Sequence, residues 1–117
     1  MTDLGETTSV HWDDALDAIE QCYRLGWTDG LPVVPPTENR VGQFLEHVGL
    51  PASHVVGEIP ERRREVTAGK VAANAVMAGC LPEHLPVVLA ATQAMLDPVF
   101  NLVGPSSSMG GAAILVI

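Results

Sequence analysis

The chain has 117 residues, 47% of them hydrophobic and only 17% charged, with a formal net charge of −8. That length suits one domain with one core, and the apolar balance excludes an intrinsically disordered chain. The acidic balance, with two Trp, one Tyr and two Phe as the whole aromatic complement, excludes nucleic acid as a partner, because neither a basic stripe nor a base-stacking surface is present.

Residues 1–9 are polar and acidic, without the basic and apolar regions of a secretory signal. Every apolar run is broken by Pro, Glu, His or Asp before it reaches a membrane span, so no membrane partner is expected. Cys22 and Cys80 are far apart and form no CxxC pair, and they read as reduced thiols of a cytoplasmic protein.

Met1 to Val10 reads as a flexible arm, followed by a single domain over residues 11–117. Residues 13–25 predict a helix. In it Leu16, Ile19, Cys22 and Tyr23 recur at helical spacing, while Asp14, Asp17, Glu20 and Gln21 face water. Asp13 or Asp14 can cap its start, and Gly26 can close it in the left-handed conformation. Cys22 then falls on or beside the packed face.

The stretch from Trp27 to Glu38, WTDGLPVVPPTE, opens with a turn signal at Asp29-Gly30. Leu31 to Val34 predicts an extended segment, with Pro32 placing it at a strand start or a sheet edge. Pro35-Pro36 stiffens the exit, so that Thr28, Asp29, Thr37 and Glu38 could be held as polar groups at a site. A turn followed by a helix cap explains the same residues. The next helix, about Glu38 to Val48, is capped by Thr37, buries Val41, Phe44, Leu45 and Val48, and stops at Gly49.

His54 to Ile59 predicts a short strand, Pro60 to Arg64 a charged turn, and Glu65 to Thr67 a second strand pairing back. Arg62, Arg63 and Arg64 are half of the six basic residues, and they read either as a solvated turn or as an anchor for a carboxylate or phosphate. Thr67 caps the central stretch, AGKVAANAVMAGC. This is predicted to be a buried helix whose small side chains admit close neighbours and whose end carries the Cys80 thiol. Leu81-Pro82 breaks the chain, and a second apolar helix runs to about Leu96, with Leu85, Val88, Leu89 and Thr92 on its packed face. Gly104 to Gly111 predicts a polar loop, and Ala112 to Ile117 a buried strand on which the sequence stops, as if a second polypeptide continued the structure.

Three features carry chemistry. Cys80 precedes a helix start and lies four residues before His84, an arrangement that would favour a thiolate nucleophile with an imidazole at hand, although spacing alone reads more simply as a packed inert thiol. The loop Ser106, Ser107, Ser108, Met109, Gly110, Gly111 could cradle an anion or oxyanion on backbone N–H groups. His11, His47, His54 and His84 are scattered without ligand spacing, so no metal is expected, and with neither a Walker loop nor GxGxxG the cofactor is left unknown.

WTDGLPVVPPTENRV, VAANAVMAGCLPEHLPVVLAATQAMLDPVFNL and the glycine-rich end resemble the amino-terminal region of the UGSC-motif (seleno)protein family. The family is akin in general design to glycine and proline reductase-type thiol or selenol enzymes. The resemblance covers about residues 20–117 and implies Asp29, Gly30, Pro35, Pro36, Thr37, Asn74, Gly79, Cys80 and the Ser106 to Gly111 loop as site candidates. The UGSC motif itself is absent, so the resemblance implies a partner polypeptide, a processed precursor or a stand-alone relative.

The expectation is therefore an α/β fold, a small sheet with about four helices in a single compact domain, completed by a partner chain. Its expected function is the small subunit of a heteromeric enzyme that acts on a small molecule by thiol chemistry, either redox or C–X bond cleavage. A non-catalytic structural subunit is the alternative, as is a hydrolase or hydratase using the serine-rich loop.

Overall fold

Within residues 13–100, the part of the chain that the computed structural model describes, four helices and one hairpin follow each other. They are α1 (Ala15–Arg24), α2 (Glu38–Val48), β1 (Val55–Ile59), β2 (Arg64–Thr67), α3 (Ala68–Met77) and α4 (Leu85–Leu96). Short 3-10 turns occupy Pro60–Arg62, Pro82–His84 and Pro98–Phe100. The predicted arm, the serine-glycine loop and the strand from Ala112 lie outside the described residues.

The helix starts are set by local chemistry. Asp14 accepts from the Asp17 N–H at 2.8 Å, Thr37 from Arg40 at 3.2 Å and Thr67 from Lys70 at 3.4 Å. Each side-chain oxygen thereby satisfies an N–H that the first turn leaves orphaned, worth about 1 kcal/mol per cap. At α3 two further orphans are met from afar: Ala68 N–H donates to His54 O at 2.8 Å and Gly69 N–H to Ala52 O at 2.9 Å. Those bonds clamp the start of α3 to the segment between α2 and β1.

The core is built on α3. Ala68, Val71, Ala72, Ala75 and Val76 are buried there, together with Val41, Phe44 and Leu45 of α2, Ala52, and Leu85 and Leu89 of α4. The spacing 41, 44, 45, 48 puts the α2 residues on one face, as predicted, with Val48 half-buried. Arg40 lies over the Phe44 ring at 5.7 Å from its centroid, which shields the rim of that face with a cation.

The hairpin pairs antiparallel in the register Ile59↔Arg64, Glu58↔Glu65, Gly57↔Val66 and Val55↔Thr67, with an irregularity between Val55 and Gly57. The extra residue turns both Val56 and Gly57 inward, where strict alternation would expose one of them. Gly57 is a close-approach glycine. A β-carbon there would lie 2.7 Å from Leu96 Cδ1 and 2.9 Å from Leu96 Cβ, so α4 rests directly on the strand backbone.

Two expectations are corrected. Leu31 to Val34 forms no strand; its tie to the fold is a single backbone bond, Val34 N–H to Met77 O at 3.2 Å. The prolines hold the segment extended, but a strand requires a paired neighbour, and none lies alongside among the described residues. On α1 the predicted packed face holds at Cys22 but not at Leu16 and Tyr23. Ala18 and Cys22 are buried at positions four apart, while Leu16 is 73% and Tyr23 59% exposed.

Gly57→Ala is expected to lower unfolding stability by about 1–3 kcal/mol, because the Leu96 side chain must give way next to a fixed backbone. Urea unfolding measures it. In a double-mutant cycle Leu96→Ala should absorb part of the cost; strict additivity of the two substitutions would disprove the contact.

Candidate functional site

Gly79 and Cys80 are explained first by how α3 ends. Gly79 takes a left-handed φ of 84°, Gly79 N–H donates to Val76 O at 2.9 Å, and Cys80 N–H donates back to Ala75 O at 3.0 Å. This double bond across the last turn is the Schellman motif. The same motif closes α1 at Gly26, with Trp27 N–H to Cys22 O at 3.0 Å, and α2 at Gly49, with Leu50 N–H to Leu45 O at 3.2 Å. Cys80 thus holds the backbone position that Trp27 and Leu50 hold at the ends of α1 and α2. It is half-buried and packs against the core.

The outer side of the same thiol lines an open groove of about 350 Å³. From α3 and its cap residue Ala78 the groove takes Lys70, Val71, Asn74, Ala75 and Ala78; from α4, Val88 and Thr92; and Val66 of β2 completes it with Cys80. Lys70, Asn74 and Ala78 are spaced four apart, as are Val88 and Thr92, so each helix contributes one stripe. The two polar side chains besides Lys70 are partly spent. Asn74 Nδ2 donates to Lys70 O at 2.8 Å, and the Thr92 hydroxyl donates to Val88 O at 2.8 Å. What they still offer the groove is mainly acceptor oxygen: Asn74 Oδ1 and the lone pairs of Thr92 Oγ1.

Of the predicted site residues, Cys80 and Asn74 come together here. His84 does not join them. It is exposed and lies in the 3-10 turn, where Leu81 N–H donates to His84 Nδ1 at 3.0 Å and His84 N–H donates to Leu81 O at 2.9 Å. That reciprocal pair engages Nδ1 as an acceptor within the turn. No hydrogen bond among the described residues joins His84 to Cys80. The α-helix after Cys80 begins at Leu85 instead of Pro82, which moves its free N–H groups away from the thiol.

Asp29 and Gly30 sit on an exposed turn held by Thr28, whose hydroxyl donates to Leu31 O at 2.7 Å and accepts from Gly30 N–H at 3.3 Å. Thr37 and Glu38 are the cap and first residue of α2. None of the four lines the groove. Pro35 and Pro36 are half-buried between Val34, tied to Met77, and the α2 cap. Ser106, Ser107, Ser108, Met109, Gly110 and Gly111 lie outside the described residues.

Lys70, Val66, Val88 and Thr92 were not singled out by sequence as site residues. The signal was the four-residue spacing along the two helices, which tells that each stripe shares a face but not that the faces meet. No cluster of three or more His, Cys, Asp or Glu able to hold a metal occurs among the described residues, and no helix among them is long and apolar enough to cross a membrane.

Both cysteines are free thiols in unlike settings. Cys22 is fully buried, and burial pushes its thiol above the ordinary value of 9.0, against a smaller opposing effect of a backbone hydrogen bond. Comparison with protein-family models, with curated proteins and with solved structures finds no match for this chain.

In the native protein iodoacetamide should alkylate Cys80 first, and Cys22 only when the chain unfolds; peptide mass mapping reads the order. Preferential labelling of Cys22 would refute the assignment. Cys22 also sets a pH dependence. Its thiol keeps the proton in the folded state and releases it on unfolding above pH 9.0, so stability should fall as pH rises beyond that value. The slope is at most about 1.4 kcal/mol per pH unit. Cys22→Ala should be less stable at every pH, through the cavity it leaves, yet lack that slope.

Proposed function

We propose that this chain is one subunit of a heteromeric enzyme, and that the groove between α3 and α4 presents the Cys80 thiol to a small molecule. The observation that carries the reading is the juxtaposition in one groove of an accessible thiol, a cation, an amide and a hydroxyl on an otherwise apolar lining. Small-molecule sites have this composition: mostly hydrophobic walls with a few placed polar groups. The chemistry would be thiol-dependent, either oxidoreductase or lyase in type. In a redox cycle Cys80 needs a second thiol, and buried Cys22 on α1 does not supply it, so the resolving sulfur comes from the partner subunit or a small thiol. In C–X cleavage the sulfur bonds to carbon as X departs with the bonding pair. Kinship with the UGSC-motif family and a cytoplasmic location belong to the same proposal.

The partner is supported by surface chemistry. α4 is apolar nearly all round, a pattern that belongs to a helix covered on every side. Yet Pro86, Val87, Ala90 and Ala94 are exposed, with Val87 at 44%. Leu16, Tyr23 and Leu31 add further exposed apolar area on and after α1. Such surface marks interfaces. The second reading is a packing subunit without catalysis, and one observation favours it: Cys80 occupies a helix-closing position that is apolar in the two parallel cases.

Isolating the tagged chain with its stoichiometric partner and exposing the complex to a metabolite extract separates the two. The catalytic reading expects a covalent mass increase confined to the Cys80 peptide, absent in Cys80→Ser and lost again on turnover. An intact complex with no adduct at Cys80 would leave the packing subunit as the function.

A further inference from the structure

We infer that the ligand of the α3–α4 groove is a small apolar carboxylate, bound through Lys70 at one end with its apolar body running towards Cys80. The inference rests on the reading of this groove as the substrate site and names the class of molecule that enters it.

Among the described residues Lys70 is the only charged side chain of the lining, and no carboxylate accompanies it there. Among the described residues the one ion pair is Arg24 with Glu20, so Lys70 has no partner among them. This is a local exception on a chain whose net charge is −8. A cationic side chain that lines the groove with Val66, Val71 and Val88 is therefore matched by an anion brought from outside, and the apolar walls require that most of the rest of that anion be hydrocarbon. A phosphate ester or a polar metabolite would set its hydroxyl groups against valine and alanine without partners.

The helix sets how long the ligand must be. Lys70 stands at the start of α3 and Cys80 just past its end. From residue 70 to 78 the helix rises about 12 Å, so an elongated acid, rather than one of two or three carbons, is needed to bring its far end to the thiol. Asn74 Oδ1 and Thr92 Oγ1 lie along the way as acceptors, which suits a hydroxyl or amine donor on the chain.

The test uses 3-phenylpropionate and its neutral isostere 3-phenylpropanamide, titrated into ¹⁵N-labelled full-length protein and followed by amide shifts. Shifts should map to residues 66–92, and the acid should bind about fivefold tighter than the amide, as befits a half-exposed charge pair. Lys70→Met, an exposed substitution whose folding the same spectra report, should bring that ratio to about one, and added salt should reduce it in the wild type. Cys80→Ala should keep the ratio, so failure of the thiol chemistry and failure of the acid preference remain separate results. Equal binding of acid and amide by the wild type, an undiminished ratio in Lys70→Met, or shifts outside the groove would each overturn the inference.

Discussion

Close burial of α3 is the constraint on which the other elements depend. Its inward side is alanine and valine, so α2, α4 and β2 can all approach its backbone closely. A larger residue at Ala68 or Ala72, both with no exposed surface, would push a neighbour away. The large residues that fill the remaining volume, Phe44 and Leu85, come from the flanking helices, and each contributes about 2–3 kcal/mol by leaving water. Small residues on the central helix and large ones on its neighbours give an interlocking core from few elements.

Both ends of that helix are closed by hydrogen bonds, and this is what makes its outer stripe a usable wall. At the start, Thr67 and the carbonyls of Ala52 and His54 take up N–H groups; at the end, Gly79 and Cys80 return bonds to Val76 and Ala75. A helix fixed at both termini does not fray, so Lys70 near one end and Cys80 beyond the other keep a set separation. The groove arises because α4 leans on β1 through Gly57 and Leu96 while it also contacts α3. The strand therefore helps determine how far the two helices open.

Cys80 belongs to two structures at once. Its backbone is part of the helix closure and its side chain bridges core and groove. A structural position of this kind holds a thiol in a defined orientation without any dedicated site, and a subunit could acquire chemistry there with little change to the fold. The same economy leaves His84 out: its Nδ1 completes the 3-10 turn, a local bond that outcompetes reaching back to the sulfur.

What the sequence determined by itself is the punctuation of the chain. Asp14, Thr37 and Thr67 mark helix starts, Gly26, Gly49 and Gly79 mark helix ends, and the α/β character, the hairpin and the packed face of α2 follow from residues within a turn or two of one another. Those features are legible because capping and left-handed closure involve atoms only a few positions apart. What only the tertiary structure decided is which surfaces meet. Leu16, Cys22 and Tyr23 lay on one predicted stripe, yet only Cys22 went inside, joined by the small Ala18 one turn before it. Leu31 to Val34 had the composition of a strand and found no strand beside it. Lys70 and Thr92 lie 22 positions apart and share a groove because α4 packs beside α3. Periodicity gives each element a face, but the neighbour that a face meets is set by packing between distant parts of the chain, and no local pattern encodes it.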